Sequence, residues 1–277
     1  MQDRYKTYLL TKKKVKPNTV TCYLGDIDLL EKKLEELGVD GFENLTQDDF
    51  DTVVADLEHA GRSNASVQRF ISSVKNFYTF LVYDGVCTKN VLLGYCFSRD
   101  REDERRQILL SELEVSRLLS QPDTATFKGI RDRAMLELSY ASALRVSDLL
   151  ELNIADVNVF TGTVTCRCGK TVKYISLYPS AAAILGEYIS AYTRMHGMIP
   201  PNSPLFINQQ FKRLTRQGLW KIIKDYSKDA GINKDITPLT LRQSYASHLA
   251  QKGATAQDLM RILDYQNIAS ARVYIEK

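Results

Sequence analysis

No apolar run in the sequence approaches the length of a membrane span, so no transmembrane helix is expected. The opening residues, Met1-Gln-Asp-Arg-Tyr-Lys6, lack the apolar stretch of a signal peptide, and a cytoplasmic location is expected. Disulfide frameworks are disfavoured too. The five cysteines (Cys22, Cys87, Cys96, Cys166, Cys168) are scattered and odd in number, which fits a reducing compartment. Cys166 and Cys168 alternate on a predicted strand and share a face, but a metal would need two more ligands. No second Cys or His pair lies near them, so they read as small strand residues. Internal repeats and low-complexity tracts are absent, and nothing predicts extended disorder.

What is there is ordinary in amount and uneven in placement. Hydrophobic residues at 44% and charged residues at 25% are globular values, and 277 residues suffice for one large or two modest domains. A net charge of +4 is compatible with nucleic acid without selecting it. The cations cluster at Lys12, Lys13, Lys14 and Lys16, and again at Arg99, Arg101, Arg105 and Arg106. Composition alone would make such clusters solvated faces or linkers.

From about Asn18 to Leu93 the apolar period is helical. A first helix follows Pro17, with Asn18 as its cap and Tyr23, Ile27, Leu30 and Leu34 on its apolar side. Thr46 opens a second. The clearest runs from Ala65 to Tyr83, where Val67, Phe70, Ile71, Val74, Phe77, Tyr78 and Leu81 recur at three- and four-residue steps. Its opposite face carries Gln68, Arg69, Ser72, Lys75, Asn76 and Thr79. That is common surface chemistry, and also what a helix lying along a DNA backbone offers. The stretch 98–110 is largely charged and aperiodic at first, and reads as a linker between domains at 1–97 and 111–277.

Beyond it, Ser111-Glu-Leu-Glu114 has the form of a capping box, and helices follow to Leu119 and from Thr126 to Ala141. The period then alternates, predicting strands at Thr163–Cys168 and Thr171–Leu177 joined at Gly169-Lys170. Helices resume from Ser180. The expected fold is mainly α with a small antiparallel sheet: an N-terminal helical domain, then an α+β domain that is mainly helical with the sheet inserted.

Single candidate residues are weak. Arg145 alone reads as a helix-end ion pair with Asp148, Lys170 as a solvated turn, and Tyr274 as packing. Arg242 sits in an apolar helix and needs a partner, since a guanidinium is seldom buried unpaired. Their order and spacing, however, resemble the tyrosine recombinase (phage integrase) family, of the Xer type. The matching pieces are Ala143-Leu-Arg145-Val-Ser-Asp-Leu149, Gly169-Lys170, Thr237-Pro-Leu-Thr-Leu-Arg242, the helix carrying His248 and Tyr274, with 274 − 242 = 32 residues between arginine and tyrosine.

The resemblance implies DNA strand exchange through a 3′-phosphotyrosine at Tyr274, without metal or nucleotide cofactor. Arg145 and Arg242 would hold the phosphate, since each guanidinium can donate two parallel hydrogen bonds to its oxygens. Lys170 would act as general acid, with Lys173 as the alternative. The expected partner is double-stranded DNA, gripped by both domains with phosphate contacts from Lys12, Lys13, Lys14, Lys16, Arg69 and Lys75. The expected assembly is a homo- or hetero-tetramer on DNA and a monomer when free. Two departures stand out. Leu239 and Tyr265 occupy the positions where the family places histidines, and His59, His196 and His248 match neither. The family also continues past its nucleophile into a helix that docks on a neighbour, whereas this sequence stops at Lys277. The rival expectation is a recombinase-like accessory DNA-binding protein that has lost cleavage.

Overall fold

The computed structural model describes residues 1–97, 107–168 and 171–275. The chain forms two compact units, Met1–Glu104 and Arg105–Lys277. Among the described residues no helix is long and apolar enough to cross a membrane.

The first unit contains α1 (Gln2–Thr11), α2 (Pro17–Leu37), α3 (Gln47–His59) and α4 (Asn64–Tyr83). The expected apolar stripe of α4 is buried throughout, from Val67 to Leu81, against Ile27, Leu30, Phe50 and Leu57. Two termini follow the sequence closely: Thr46 and Asp49 form a reciprocal capping box on α3, and Ser63 caps α4. One cap is corrected. The N-cap of α2 is Lys16, with Pro17 in the first turn, so Asn18 lies inside the helix. Proline's fixed φ and missing N–H suit that first-turn position, which leaves Asn18 no capping role.

Helix α1 escaped the periodic reading because only Tyr5 and Leu9 are buried in it. Those two are enough to seat it: the Tyr5 ring meets Phe77 edge-on at 5.0 Å and Phe80 at 5.2 Å. Such aromatic pairs add about 0.5–1.5 kcal/mol each beyond their buried area.

The second unit runs α5 (Glu112–Ser120), α6 (Phe127–Ser142), α7 (Val146–Glu151), β1 (Val157–Asn158), β2 (Thr163–Cys168), β3 (Thr171–Ser176), α8 (Pro179–His196), α9 (Arg216–Asp229), α10 (Pro238–Gln251), α11 (Ala256–Leu263) and α12 (Ala269–Arg272). The capping box at Ser111 and Glu114 is present. The sheet is antiparallel in the order β1-β2-β3, with Thr163 opposite Ser176 and Cys168 opposite Thr171. Cys166 is buried within the main core, which fits its reading as a packing residue.

Two separate apolar clusters hold this unit. The larger joins α5, α6, β2, α8 and α9 through residues such as Leu118, Met135, Val164, Tyr188 and Ile223. A smaller one consists of Ala143, Ala246, Leu259, Leu263, Ala271 and Tyr274. It holds the C-terminal helices to the end of α6.

Candidate active site

The site forms where α11 ends. Residues 263–265 leave the helix in a turn, with Asp264 at the C-cap in the left-handed conformation (φ 53°). Ala143, at the C-cap of α6, is also left-handed (φ 48°). Neither is glycine, and a left-handed backbone costs an ordinary residue about 1–2 kcal/mol. Both residues aim a carbonyl at a guanidinium.

Arg242 lies on α10, whose start is fixed by Pro238 in the first turn and by the Thr237–Thr240 capping box. Its side chain is buried, and it donates to the Ala143 carbonyl at 2.6 Å and to the Leu263 carbonyl. Its guanidinium also stands over the Tyr265 ring, 5.7 Å from the centroid, a cation–π contact. Those partners answer the need for compensation expected of a buried arginine. Burial first, opposed by Tyr265 and aided by the positive charge of Arg145, pulls Arg242 below its ordinary value.

Arg145, the N-cap of α7, is half-exposed and reaches the same turn. It donates to the Asp264 carboxylate at 2.7 Å and to the Asp264 carbonyl at 2.8 Å. Asp148, its partner by sequence proximity, is 3.9 Å away, too far for a hydrogen bond. The Arg145 hydrogen bond holds the Asp264 carboxyl below its ordinary range.

Tyr274 is buried, and its hydroxyl lies 3.2 Å from that of Tyr265. Burial, followed by that hydrogen bond and the proximity of Tyr265, raises the Tyr274 hydroxyl well above its ordinary value, and Arg242 opposes the rise. A nucleophile needs the opposite, so the proton must leave as the reaction proceeds. Two guanidiniums and two phenols thus meet at one turn.

Of the remaining sequence candidates, Lys170 lies outside the described residues. Lys173, on β3, donates weakly to the Ile262 carbonyl at 3.4 Å, and its charge is felt at Asp264. Leu239 is on the first turn of α10, 56% exposed. His248 is buried and shares a hydrogen bond of 2.8 Å with the Tyr140 hydroxyl, so it serves the core. Asp264 was missed by the sequence reading. Its signal was available only as an acidic residue between two motif positions.

In the helical unit Lys12, Lys13, Lys14 and Lys16 are exposed. Arg69 instead pairs with the buried Asp26 carboxylate at 2.5 Å, and Lys75 donates to the Tyr95 carbonyl at 2.8 Å. Both cations of that α4 face also serve the fold.

A helical unit followed by a mainly helical unit with a small sheet, in which two arginines meet one turn beside a pair of tyrosine hydroxyls, is the arrangement of the tyrosine recombinases. The chain belongs to the phage integrase family: residues 109–277 match the phage integrase family and residues 3–85 its N-terminal SAM-like domain. Relatives named tyrosine recombinase XerD include one from Listeria innocua, 30% identical over 275 residues, covering 98% of this chain and 92% of the relative. Another, from Oceanobacillus iheyensis, is 33% identical over 272 residues, covering 96% and 90%. Among solved structures, XerH site-specific recombinase bound to a palindromic difH substrate matches with a TM-score of 0.80 at 14% identity, covering 100% of this chain and 81% of that one. A lambda integrase dimer bound to a COC′ core site matches with a TM-score of 0.76 at 18% identity, covering 99% and 93%. These structures share the fold.

Proposed function

We propose that the protein is a site-specific DNA recombinase that cleaves and rejoins duplex DNA through a 3′-phosphotyrosine at Tyr274. The observation that carries this reading is the convergence of Arg145 and Arg242 on the turn that carries Tyr265, whose hydroxyl lies beside that of Tyr274. The Tyr274 oxygen attacks phosphorus and loses its proton, the phosphorus–5′-oxygen bond breaks, and the 5′-oxygen leaves as a hydroxyl after taking up a proton. A tyrosyl phosphodiester replaces the DNA phosphodiester, so a second 5′-hydroxyl can reverse the step without external energy. Arg145 and Arg242 meet the charge that moves onto the non-bridging oxygens. Lys170, or Lys173 three residues further along the chain, supplies the proton to the leaving oxygen. Tyr265 donates one hydrogen bond where the family places an imidazole.

Duplex DNA is the partner, held through phosphates by Lys12, Lys13, Lys14 and Lys16, with smaller shares from Arg69 and Lys75 because each also has a partner inside the fold. The working assembly is a homo- or hetero-tetramer on DNA, formed from free monomers in the cytoplasm. Incubation with nicked duplexes drawn from a library of sites tests the reading. A denaturant-resistant protein–DNA adduct is expected, together with DNA affinity that falls steeply with salt. Salt-sensitive binding without an adduct on any site would establish the rival, an accessory DNA-binding protein.

The departure at position 239 gives a gain-of-function expectation. Leu239 lies three residues before Arg242, hence on the same helix face, and it is exposed, so substitution costs little stability. Leu239→His adds a proton acceptor and donor that leucine lacks. It is expected to raise adduct formation about 10²-fold, the lower end of general acid–base assistance. An unchanged single-turnover rate would show that the site works without a group at that position.

A further inference from the structure

Arg145 is the less anchored of the two arginines. Arg242 is buried and bonded to carbonyls from two elements, whereas Arg145 is half-exposed, and both of its close partners belong to one residue, Asp264. The left-handed backbone at Asp264 lets its carboxylate and its own carbonyl grip one guanidinium together. Two of the five N–H groups of the guanidinium are engaged there, leaving three for other oxygens. The groups facing Asp264 are Arg145, Lys173 and Arg242, all cationic, so its carboxylate sits among positive charges and is firmly held.

Leu263 and Asp264 are consecutive, and their carbonyls each receive one arginine. The C-terminus of a helix carries partial negative charge, which favours cations there. The end of α11 therefore sets the spacing between the two guanidiniums. The Arg145 half of that arrangement adds a carboxylate, whereas Arg242 has carbonyls and the Tyr265 ring.

We infer that Asp264 is a positioning residue that clamps Arg145 in its phosphate-binding orientation. The role assigned to Arg145 rests on the recombinase reading; the clamp itself does not. Without the carboxylate, the long Arg145 side chain regains most of its rotamer freedom, about 2 kcal/mol for an arginine, which corresponds to roughly thirtyfold in rate if all of it must be frozen again in the transition state.

Two substitutions separate the clamp from the fold. Asp264→Gly removes the carboxylate at a left-handed position that glycine adopts without strain, so the variant keeps its fold. Asp264→Asn keeps both acceptors, the backbone carbonyl and a side-chain carbonyl, and tolerates the same backbone conformation. With saturating nicked duplex, Asp264→Gly is expected to form adduct about thirtyfold more slowly with unchanged DNA affinity and melting temperature, and Asp264→Asn to recover most of the rate. Equal rates for wild type and Asp264→Gly, or a faster glycine variant, would overturn the proposal, because the carboxylate would then be idle or a competitor of the phosphate. A slow rate in Asp264→Asn equal to that in Asp264→Gly would also overturn it.

A second readout needs no activity. Guanidinium nitrogen resonances of Arg145 in DNA-free protein should report hindered rotation in wild type and in Asp264→Asn, and free rotation in Asp264→Gly. Free rotation in wild type removes the clamp whether or not adduct forms. Hindered rotation in a wild type that never forms adduct keeps the clamp and removes the recombinase reading.

Discussion

A Tyr274→Phe variant is expected to bind DNA as tightly as the parent protein and to form no covalent adduct. Phenylalanine keeps the ring in the small cluster with Ala143, Leu259, Leu263 and Ala271, so the packing survives. Only the hydroxyl and its 3.2 Å contact with Tyr265 are lost, at a cost of about 0.5–1.5 kcal/mol. The chemical loss is complete, because no other atom at that position can carry the phosphate. Peptide mapping of the adduct completes the measurement, since Tyr265 remains packed under Arg242. An adduct on Tyr265 in the variant would make that residue a second acceptor. An adduct formed at the parental rate would remove Tyr274 from the mechanism altogether.

Arg242→Ala should produce two losses that can be measured apart. The first is structural. The carbonyls of Ala143 and Leu263 lose their donor inside a buried pocket, and each stranded acceptor costs about 1–3 kcal/mol. The second is chemical. Arginines that meet transition-state charge in phosphoryl transfer are worth about 10³–10⁵ in rate. Denaturant unfolding gives the first number. Single-turnover cleavage, at a temperature where the variant is still folded, gives the second. Arg242→Lys separates them further, because an ammonium restores charge but cannot reproduce the planar fork that spans both carbonyls. If cleavage falls only in proportion to the folded fraction, Arg242 is a structural residue and its phosphate role is wrong.

What could be read from the sequence was what is local. The α4 stripe from Val67 to Leu81 and the caps at Thr46 and Ser111 were all legible. So was the hairpin, with strands at Thr163–Cys168 and Thr171–Ser176, because spacing and short-range hydrogen bonds determine such elements. What was not legible depends on partners remote in the chain. The ion pair that Arg69 makes inside the fold could not be read, because its carboxylate, Asp26, is 43 residues away. Helix α1 was invisible because two buried residues make no stripe. Asp264 was passed over because its partner Arg145 is 119 residues away, and only the fold shows that the turn after α11 meets the start of α7.

The division of the second unit into a large cluster and a small one has a mechanical meaning. Tyr274, Leu263 and Ala271 belong to the small cluster, and local opening free energy scales with what an element buries. The tyrosine is therefore carried by the part of the unit that comes away most cheaply, while the sheet and the helices around Met135 and Tyr188 stay shut. Unlatching α11 and α12 would withdraw the tyrosine together with both partners of Arg145 and one carbonyl of Arg242, which would keep its bond to Ala143 at the end of α6. Such an opening would separate the nucleophile from the arginines and leave Arg145 without its anchor, while Arg242 stays tethered to the body of the unit.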